Sequence, residues 1–378
     1  MLGRLSGSMR RVPVLHELDR KNGFDLLRLL AASAVVYSHA WRIFAFGDDP
    51  TLLLFPEDDL SSFGVMTFFA ISGYLVARSA SRVRNGWQFA RNRVLRIFPG
   101  LAACLLVTVL LIGAAATDLS LSAYFADWLT WKYLLNILLF PLQMDLPGVF
   151  LANPWSNAVN GSLWTLSVEV TAYVLIALAF VTGRGPAVVI AAMLALIFFY
   201  LLYFLMSDEY RLWYYLIEYN EKREYFFLFY MDKAGTAKLL SIFLVAALLN
   251  FLPARLFKWQ FAIVLLLAVV ATARTPIYVA VLVASVPYAV VTLGRLPSRL
   301  AARLHGNDLS YGIYLYHMPL LQMAWHFGHA EFAQPILLVA ALILILAVAW
   351  LSWVLVERPA LKFKRGGIMS LRREAVTS

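Results

Sequence analysis

One cysteine, Cys104, stands in the 378-residue sequence, so no disulfide can close within the chain and a secreted, cystine-stapled scaffold is excluded. Charge is scarce too. Asp, Glu, Lys and Arg make up 14% of residues, against about a quarter in a typical soluble chain. No long stretch is polar enough to cover a soluble domain, and neither an internal repeat nor a low-complexity run is visible. The first 23 residues carry five Lys/Arg but no apolar core, so no cleavable signal peptide is expected there. Apolar surface, by contrast, is abundant: 62% of residues are apolar and mean hydropathy is +0.74. A complement of 11 Trp, 18 Tyr and 26 Phe excludes a disordered chain. The fold class expected is all-α, a polytopic membrane protein.

Ten apolar stretches, at about 24–44, 62–79, 97–116, 162–182, 187–206, 236–252, 259–273, 275–294, 309–327 and 335–356, approach the roughly 20 residues that cross hydrocarbon. With both termini cytoplasmic, the inner segments 1–23, 78–96, 183–186, 253–258, 295–307 and 357–378 hold 23 of the 32 Lys and Arg. That asymmetry is the one cytoplasmic loops carry. The net charge of +10 is thereby a topology signal, and membrane lipids rather than nucleic acid are the expected partners. The organisation expected is a cytoplasmic segment 1–23, one membrane domain 24–356 and a basic cytoplasmic tail 357–378. Two outer segments are long. Residues 117–161 include the run Tyr133–Leu142, too short to cross and read as interfacial or re-entrant; residues 207–235 include Trp213, Tyr214 and Tyr215, suited to the headgroup level.

Ionisable groups inside such spans cost roughly 2.5–3.5 kcal/mol each at the helix centre, so those present point to function. The first span carries Asp25, Arg28 and His39, the second Ser72, the fourth Trp164, Ser167 and Glu169, and the ninth Tyr311, Tyr314 and His317. Arg28 and His39, eleven residues apart, share one helix face to within about 20° and are separated by roughly 16 Å along the axis. They serve different depths of one lumen. Glu169, counted inward from the start of its own span, falls at about the depth of His39, where a carboxylate could orient the imidazole. Arg93 and Arg96, one turn apart at the cytoplasmic start of the third span, form a cradle suited to phosphate or to an anionic lipid headgroup. His317 is read first as an interhelical hydrogen bond, and Cys104 as packing. The intramembrane histidines lack ligand spacing, so no metal site is expected.

The stretches Phe24-Asp-Leu-Leu-Arg28 with His39, Phe68–Leu75, Arg93-Val-Leu-Arg96-Ile-Phe-Pro99, Asn160–Glu169 and Leu309–His317 together resemble, in order, the motifs of the acyltransferase-3 family of integral membrane acyltransferases. The run Leu146–Phe150 to Asn153-Pro154 is similar to the stand-alone branch that O-acetylates surface polysaccharides. The resemblance implies acyl-coenzyme A, by default acetyl-CoA, as a cytoplasmic donor and a carbohydrate hydroxyl as acceptor. It implies an essential His39 and ties Arg28, Arg93 and Arg96 to the donor; Asp25, Ser72, Trp164, Tyr311, Tyr314 and His317 are candidates to line the lumen. It places the protein in the cell membrane, as in a bacterial inner membrane. The extra extracytoplasmic domain of other branches is not expected. His39 is then the expected general base and Glu169 its orienting group. The rival readings are a small-solute transporter and an O-acyltransferase acting on a small glycosylated metabolite. No paired broken spans of the kind that mark inverted repeats favour the transporter.

Overall fold

In hydrocarbon every backbone N–H and C=O must be bonded within the protein, which leaves long apolar runs the helix as their available form. The computed structural model describes residues 22–80, 86–156, 158–181, 185–205, 233–297 and 308–363. These residues are helical, without named strands; their extended contacts are two isolated bridges, Asn22 to Pro297 and Thr117 to Val149. Ten principal helices lie among them: α1 (Phe24–Ile43), α2 (Leu60–Ala80), α3 (Gly86–Val107), α4 (Trp164–Val181), α5 (Gly185–Leu205), α6 (Lys233–Leu249), α7 (Trp259–Thr272), α8 (Tyr278–Arg295), α9 (Ser310–Gly328) and α10 (Gln334–Ser352). Each overlaps one of the ten apolar stretches. The expected N-terminal segment up to residue 21, the aromatic trio Trp213–Tyr215 and the tail beyond residue 363 lie outside the described residues.

Five helical stretches among the described residues are long and apolar enough to cross a membrane: Leu60–Ala80, Gly86–Ala116, Gly161–Leu178, Tyr278–Arg295 and Gln334–Phe363. Three shorter apolar helices accompany them, Val188–Phe199, Gly235–Leu249 and Trp259–Thr272. The protein is a multi-pass membrane protein. Helices α1 and α9 fall in neither group, because they carry the polar residues singled out above. They pack against each other, and α1 is further covered by α2 and α9 by α10.

Helix α2 sits at the centre, touching α1, α4, α6 and α8. Its two glycines explain how. A Cβ on Gly64 would lie 2.6 Å from the carbonyl oxygen of Ala31 in α1, and one on Gly73 only 2.1 Å from that of Phe243 in α6. Small residues that let helix backbones approach are the usual basis of helix packing in a bilayer, where lipid tails compete for apolar contact. Two apolar clusters result, one around Tyr74 and Phe243, the other around Phe44 and Phe150, and Val170 and Tyr311 pack against both.

The outer segment after α3 is held by polar stitches. A π-helical turn at Thr108–Gly113 accompanies a hydrogen bond from the Tyr124 hydroxyl to the carbonyl of Val109 at 3.0 Å, and Tyr124 is fully buried. The run from Tyr133 does not cross: it is a 3₁₀ turn, Tyr133–Leu138, followed by irregular chain tied by buried Asn136 to Gln143 at 2.8 Å. Leu139, in a left-handed conformation, offers its carbonyl to Ser167 Oγ at 2.6 Å. The segment thereby lies over the outer end of α4. Replacing Gly73 by Ala is expected to lower the thermal midpoint of the purified protein, with a cost of about 1–3 kcal/mol from overpacking against a backbone that cannot give way. An unchanged midpoint would refute the close α2–α6 contact.

Candidate active site

Helix α9 is built around a missing donor. Pro319 has no N–H, so the carbonyl of Leu315, four residues earlier, loses its helical partner. Two side chains from elsewhere take that place: Asn160 Nδ2 donates to it at 2.9 Å and the Cys104 thiol at 3.3 Å. One turn further out, buried Gln322 donates to the carbonyls of Trp155 (2.5 Å) and Ala158 (3.0 Å), while Asn153 donates to the Gln322 carbonyl and side-chain oxygens at 2.9 and 2.8 Å. Residues 153–160 are thus fastened along α9. This fastening sets Trp155 edge-on to His39, ring centroids 5.3 Å apart, with the Arg42 guanidinium 4.0 Å over the Trp155 ring.

His39 meets His317 across the α1–α9 contact. His39 Nδ1 is 2.8 Å from His317 Nε2, the rings stack at 4.9 Å, and His317 Nδ1 is 2.7 Å from the carbonyl oxygen of Tyr314. His317 is wholly buried. The imidazole of His39 therefore points into the bundle, not toward lipid.

A cavity approaches this pair from the arginine-bearing end of the bundle. Arg28, Arg93 and Arg96 line its inner part, and Ser72, Glu169 and Tyr173 its middle. On α9 the lining runs from Ser310 through Tyr311 to Tyr314, one helical turn short of His317. Phe68 stands edge-on to Tyr314 at 5.7 Å, and Thr165 Oγ1 is 2.5 Å from the Tyr314 hydroxyl, which also donates to the carbonyl of Ser162 at 3.0 Å. Glu169 accepts from Ser72 Oγ at 2.7 Å and from the Tyr173 hydroxyl at 2.5 Å.

At the inner mouth the guanidiniums are not equivalent. Asp308 accepts a hydrogen bond from Arg96 and lies 3.5 Å from Arg28, which is also 3.5 Å from Asp25. Burial alone would raise the Asp308 carboxyl, but Arg96, Arg28 and the Ser310 hydroxyl outweigh it and hold it at about 2. Arg93 has no carboxylate partner among the described residues. It lies over Phe89 and Tyr173 at 5.9 and 5.6 Å, and its Nε is buried without a hydrogen-bond partner.

The structure brings Arg28, Arg93, Arg96, Ser72, Glu169, Tyr311 and Tyr314 to one cavity and leaves His39, on its His317 partner, about one helical turn beyond the lining. Tyr311 spends its hydroxyl on the carbonyl of Ile97 at 2.7 Å. Two expectations need correction. Glu169 is not the partner of His39; Thr165 sits at the level of Tyr314, so Glu169 lies roughly 10 Å deeper than the histidine pair. The depth count failed because α4 starts below the surface, behind the buried 3₁₀ turn Gly161–Leu163 and the overlying outer segment. Trp164, expected in the lumen, packs instead against the apolar cluster around Phe243. Sequence reading missed Asp308, Gln322 and Trp155. Asp308 had a signal, as an acidic residue directly before a polar span on the arginine side. Gln322 and Trp155 had none, since their roles depend on a loop folding back on α9.

With this geometry in view, the comparisons with known proteins agree on one class. The model of the acyltransferase domain family, acyltransferase-3, matches residues 21–354, and the chain belongs to that family. It is an acyltransferase of the membrane. A nodulation protein 10 from Rhizobium leguminosarum bv. viciae is 30% identical over 378 aligned residues, 92% of this chain and 95% of that protein. An O-acetyl transferase of Shigella phage Sf6 is 33% identical over 159 residues, 42% of this chain, and this match spans less than half (45%) of the phage protein. No solved structure matches.

Changing Asp308 to Asn removes the counter-charge shared by two half-buried guanidiniums, of which Arg28 keeps Asp25, and is expected to cost about 1–3 kcal/mol at neutral pH. Because the folded carboxyl titrates below its ordinary value, its contribution is full above about pH 4 and fades as pH falls through about 2. Thermal unfolding of wild type and D308N at neutral pH and at pH 3 checks this: the gap narrows on acidification.

Proposed function

We propose that the chain is an O-acyltransferase that moves an acyl group, acetyl first among candidates, from cytoplasmic acyl-coenzyme A to a hydroxyl of a surface polysaccharide or its lipid-linked precursor. The observation that carries this reading is a cavity with three arginines at one end and, one turn beyond its other end, the half-buried His39 bonded to the buried His317. The printed name of the phage relative, an O-acetyl transferase, supports the choice of an oxygen acceptor and an acetyl group. The reading takes ten spans, both termini cytoplasmic and residues 24–356 as one membrane domain.

Arg93, uncompensated by any described carboxylate, is the first grip on a donor phosphate, with Arg96 and Arg28 adjoining. A phosphate there exchanges part of the Asp308 pairing for its own charge-assisted hydrogen bonds. The uncharged pantetheine arm extends along Ser72 and Tyr314 toward the histidines. Glu169 fixes the Ser72 and Tyr173 hydroxyls on the wall rather than acting on His39. His39 takes the proton from the acceptor hydroxyl as its oxygen bonds to the thioester carbonyl carbon. The carbon–sulfur bond then breaks, and the departing thiolate takes that proton back from His39. The same imidazole could carry the acyl group in a two-step route with the same bonds made and broken overall.

Mass spectrometry of cell-surface glycans from a deletion strain complemented with each variant tests this. The deletion removes an acyl mass increment, wild type restores it, and His39→Ala fails to restore it although the protein accumulates in the membrane; a fully acylated glycan in His39→Ala cells refutes the reading. Uptake of a solute with no acyl product would favour the transporter. For Arg93→Ala the expected change is a roughly tenfold or greater rise in KM for acetyl-CoA with a smaller effect on kcat, the loss of one charge-assisted contact. Unchanged acetyl-CoA affinity would remove Arg93 from the donor site.

A further inference from the structure

We infer that His317 is a positioning residue that selects the tautomer of His39, with the backbone carbonyl of Tyr314 as the fixed end of the chain. The inference rests on His39 being the proton acceptor proposed above and specifies which of its nitrogens does the work.

The logic runs from an atom that has no proton to give. A carbonyl oxygen only accepts, so the 2.7 Å contact between the Tyr314 oxygen and His317 Nδ1 requires a hydrogen on Nδ1. Neutral imidazole carries one N–H, which leaves His317 Nε2 as a bare lone pair. A doubly protonated His317 would be a wholly buried cation with no carboxylate bonded to it among the described residues, an arrangement burial strongly disfavours. The bare Nε2 lies 2.8 Å from His39 Nδ1, so that nitrogen in turn must donate. A neutral His39 therefore carries its lone pair on Nε2, the nitrogen not engaged with α9. When Nε2 takes a proton, the Nδ1–H bond to His317 is kept and strengthened, because its donor has become charged.

The local fold explains why the chain can be held so firmly. Helix α9 is pinned on either side of His317, by Asn160 and Cys104 on the Leu315 carbonyl and by the Gln322 contacts one turn outward. A wrong tautomer would set two lone pairs against each other at 2.8 Å. Such a flip removes the base even when every atom stays in place, and general-base catalysis contributes about 10²–10⁴-fold.

Two substitutions separate hydrogen bonding from packing. His317→Gln keeps a side-chain carbonyl able to accept from His39 Nδ1; His317→Leu fills the space without an acceptor. Acyl increments on surface glycans, from cells with matched membrane levels of each protein, are expected to stay within about tenfold of wild type for H317Q. For H317L they should fall about a hundredfold or more. In parallel, ¹⁵N spectra of histidine-labelled wild-type protein in lipid vesicles, with His39 assigned by subtracting the His39→Ala spectrum, should show a protonated Nδ1 and a bare Nε2. Wild-type acylation in H317L, or H317Q no better than H317L with both proteins folded, overturns the inference. A bare His39 Nδ1 overturns it too, and that measurement stands even if neither His317 variant accumulates. Full acylation by His39→Ala would instead defeat the underlying reading of His39 as base, whatever His317 does.

Discussion

The constraint behind this structure is that a polar group inside a bilayer-spanning bundle has no water to fall back on, so each must be matched by another part of the chain. The matches found here are long in sequence and short in space. Asp308 answers arginines on α1 and α3, Asn160 answers the carbonyl that Pro319 strands on α9, and His317 answers His39. The helix order and the tight α1–α2 and α2–α6 contacts exist to bring these partners within reach, and the cavity is the space they leave between the two apolar clusters.

The two ends of that space have opposite electrostatic character. The arginine end is cationic but largely compensated, with Arg93 as the exception; the other end holds two histidine rings, a tryptophan edge and a guanidinium over that tryptophan. Near the outer end, Asp59 caps the start of α2 by accepting from the Ser62 amide and the Ser61 and Ser62 hydroxyls, at 2.7–2.8 Å. Burial would raise its carboxyl, but those hydrogen bonds hold it below the usual carboxylate range. A group-transfer enzyme that passes an acyl chain from a polyanionic carrier to a polar acceptor needs such a division. On the function proposed above, charge recognises the carrier at one mouth, and the His39 nitrogen accepts the proton beyond the other.

Much of this was legible in the sequence. Each of the ten apolar stretches overlaps a helix because hydropathy is read by the solvent, although the third helix starts at Gly86, eleven residues ahead of its apolar stretch, through the basic run that hydropathy leaves out. Arg28 and His39 lie at two depths of α1, Arg28 lining the cavity and His39 beyond it, because helical geometry alone fixes residues eleven apart. What failed was the zero of the depth scale. Glu169 was counted from a helix start assumed to lie at the surface, and the outer segment buries that start. His317 was read as an interhelical hydrogen bond, which it makes, but its partner needed coordinates. Gln322 and Trp155 were illegible because a glutamine on an apolar helix and a tryptophan in a loop carry no period or spacing that links them.

The inner ion cluster also bears on how the polypeptide is made. Arg96 and Asp308 are 212 residues apart, and Arg28 lies earlier still. A ribosome therefore delivers both cations long before their common carboxylate exists. Until α9 arrives, those side chains have only Asp25, headgroups and water to lean on, and the mouth cannot take its final shape. The penultimate helix is then the keystone of biogenesis. A chain halted before it would leave the guanidiniums of α1 and α3 without the carboxylate that draws them together.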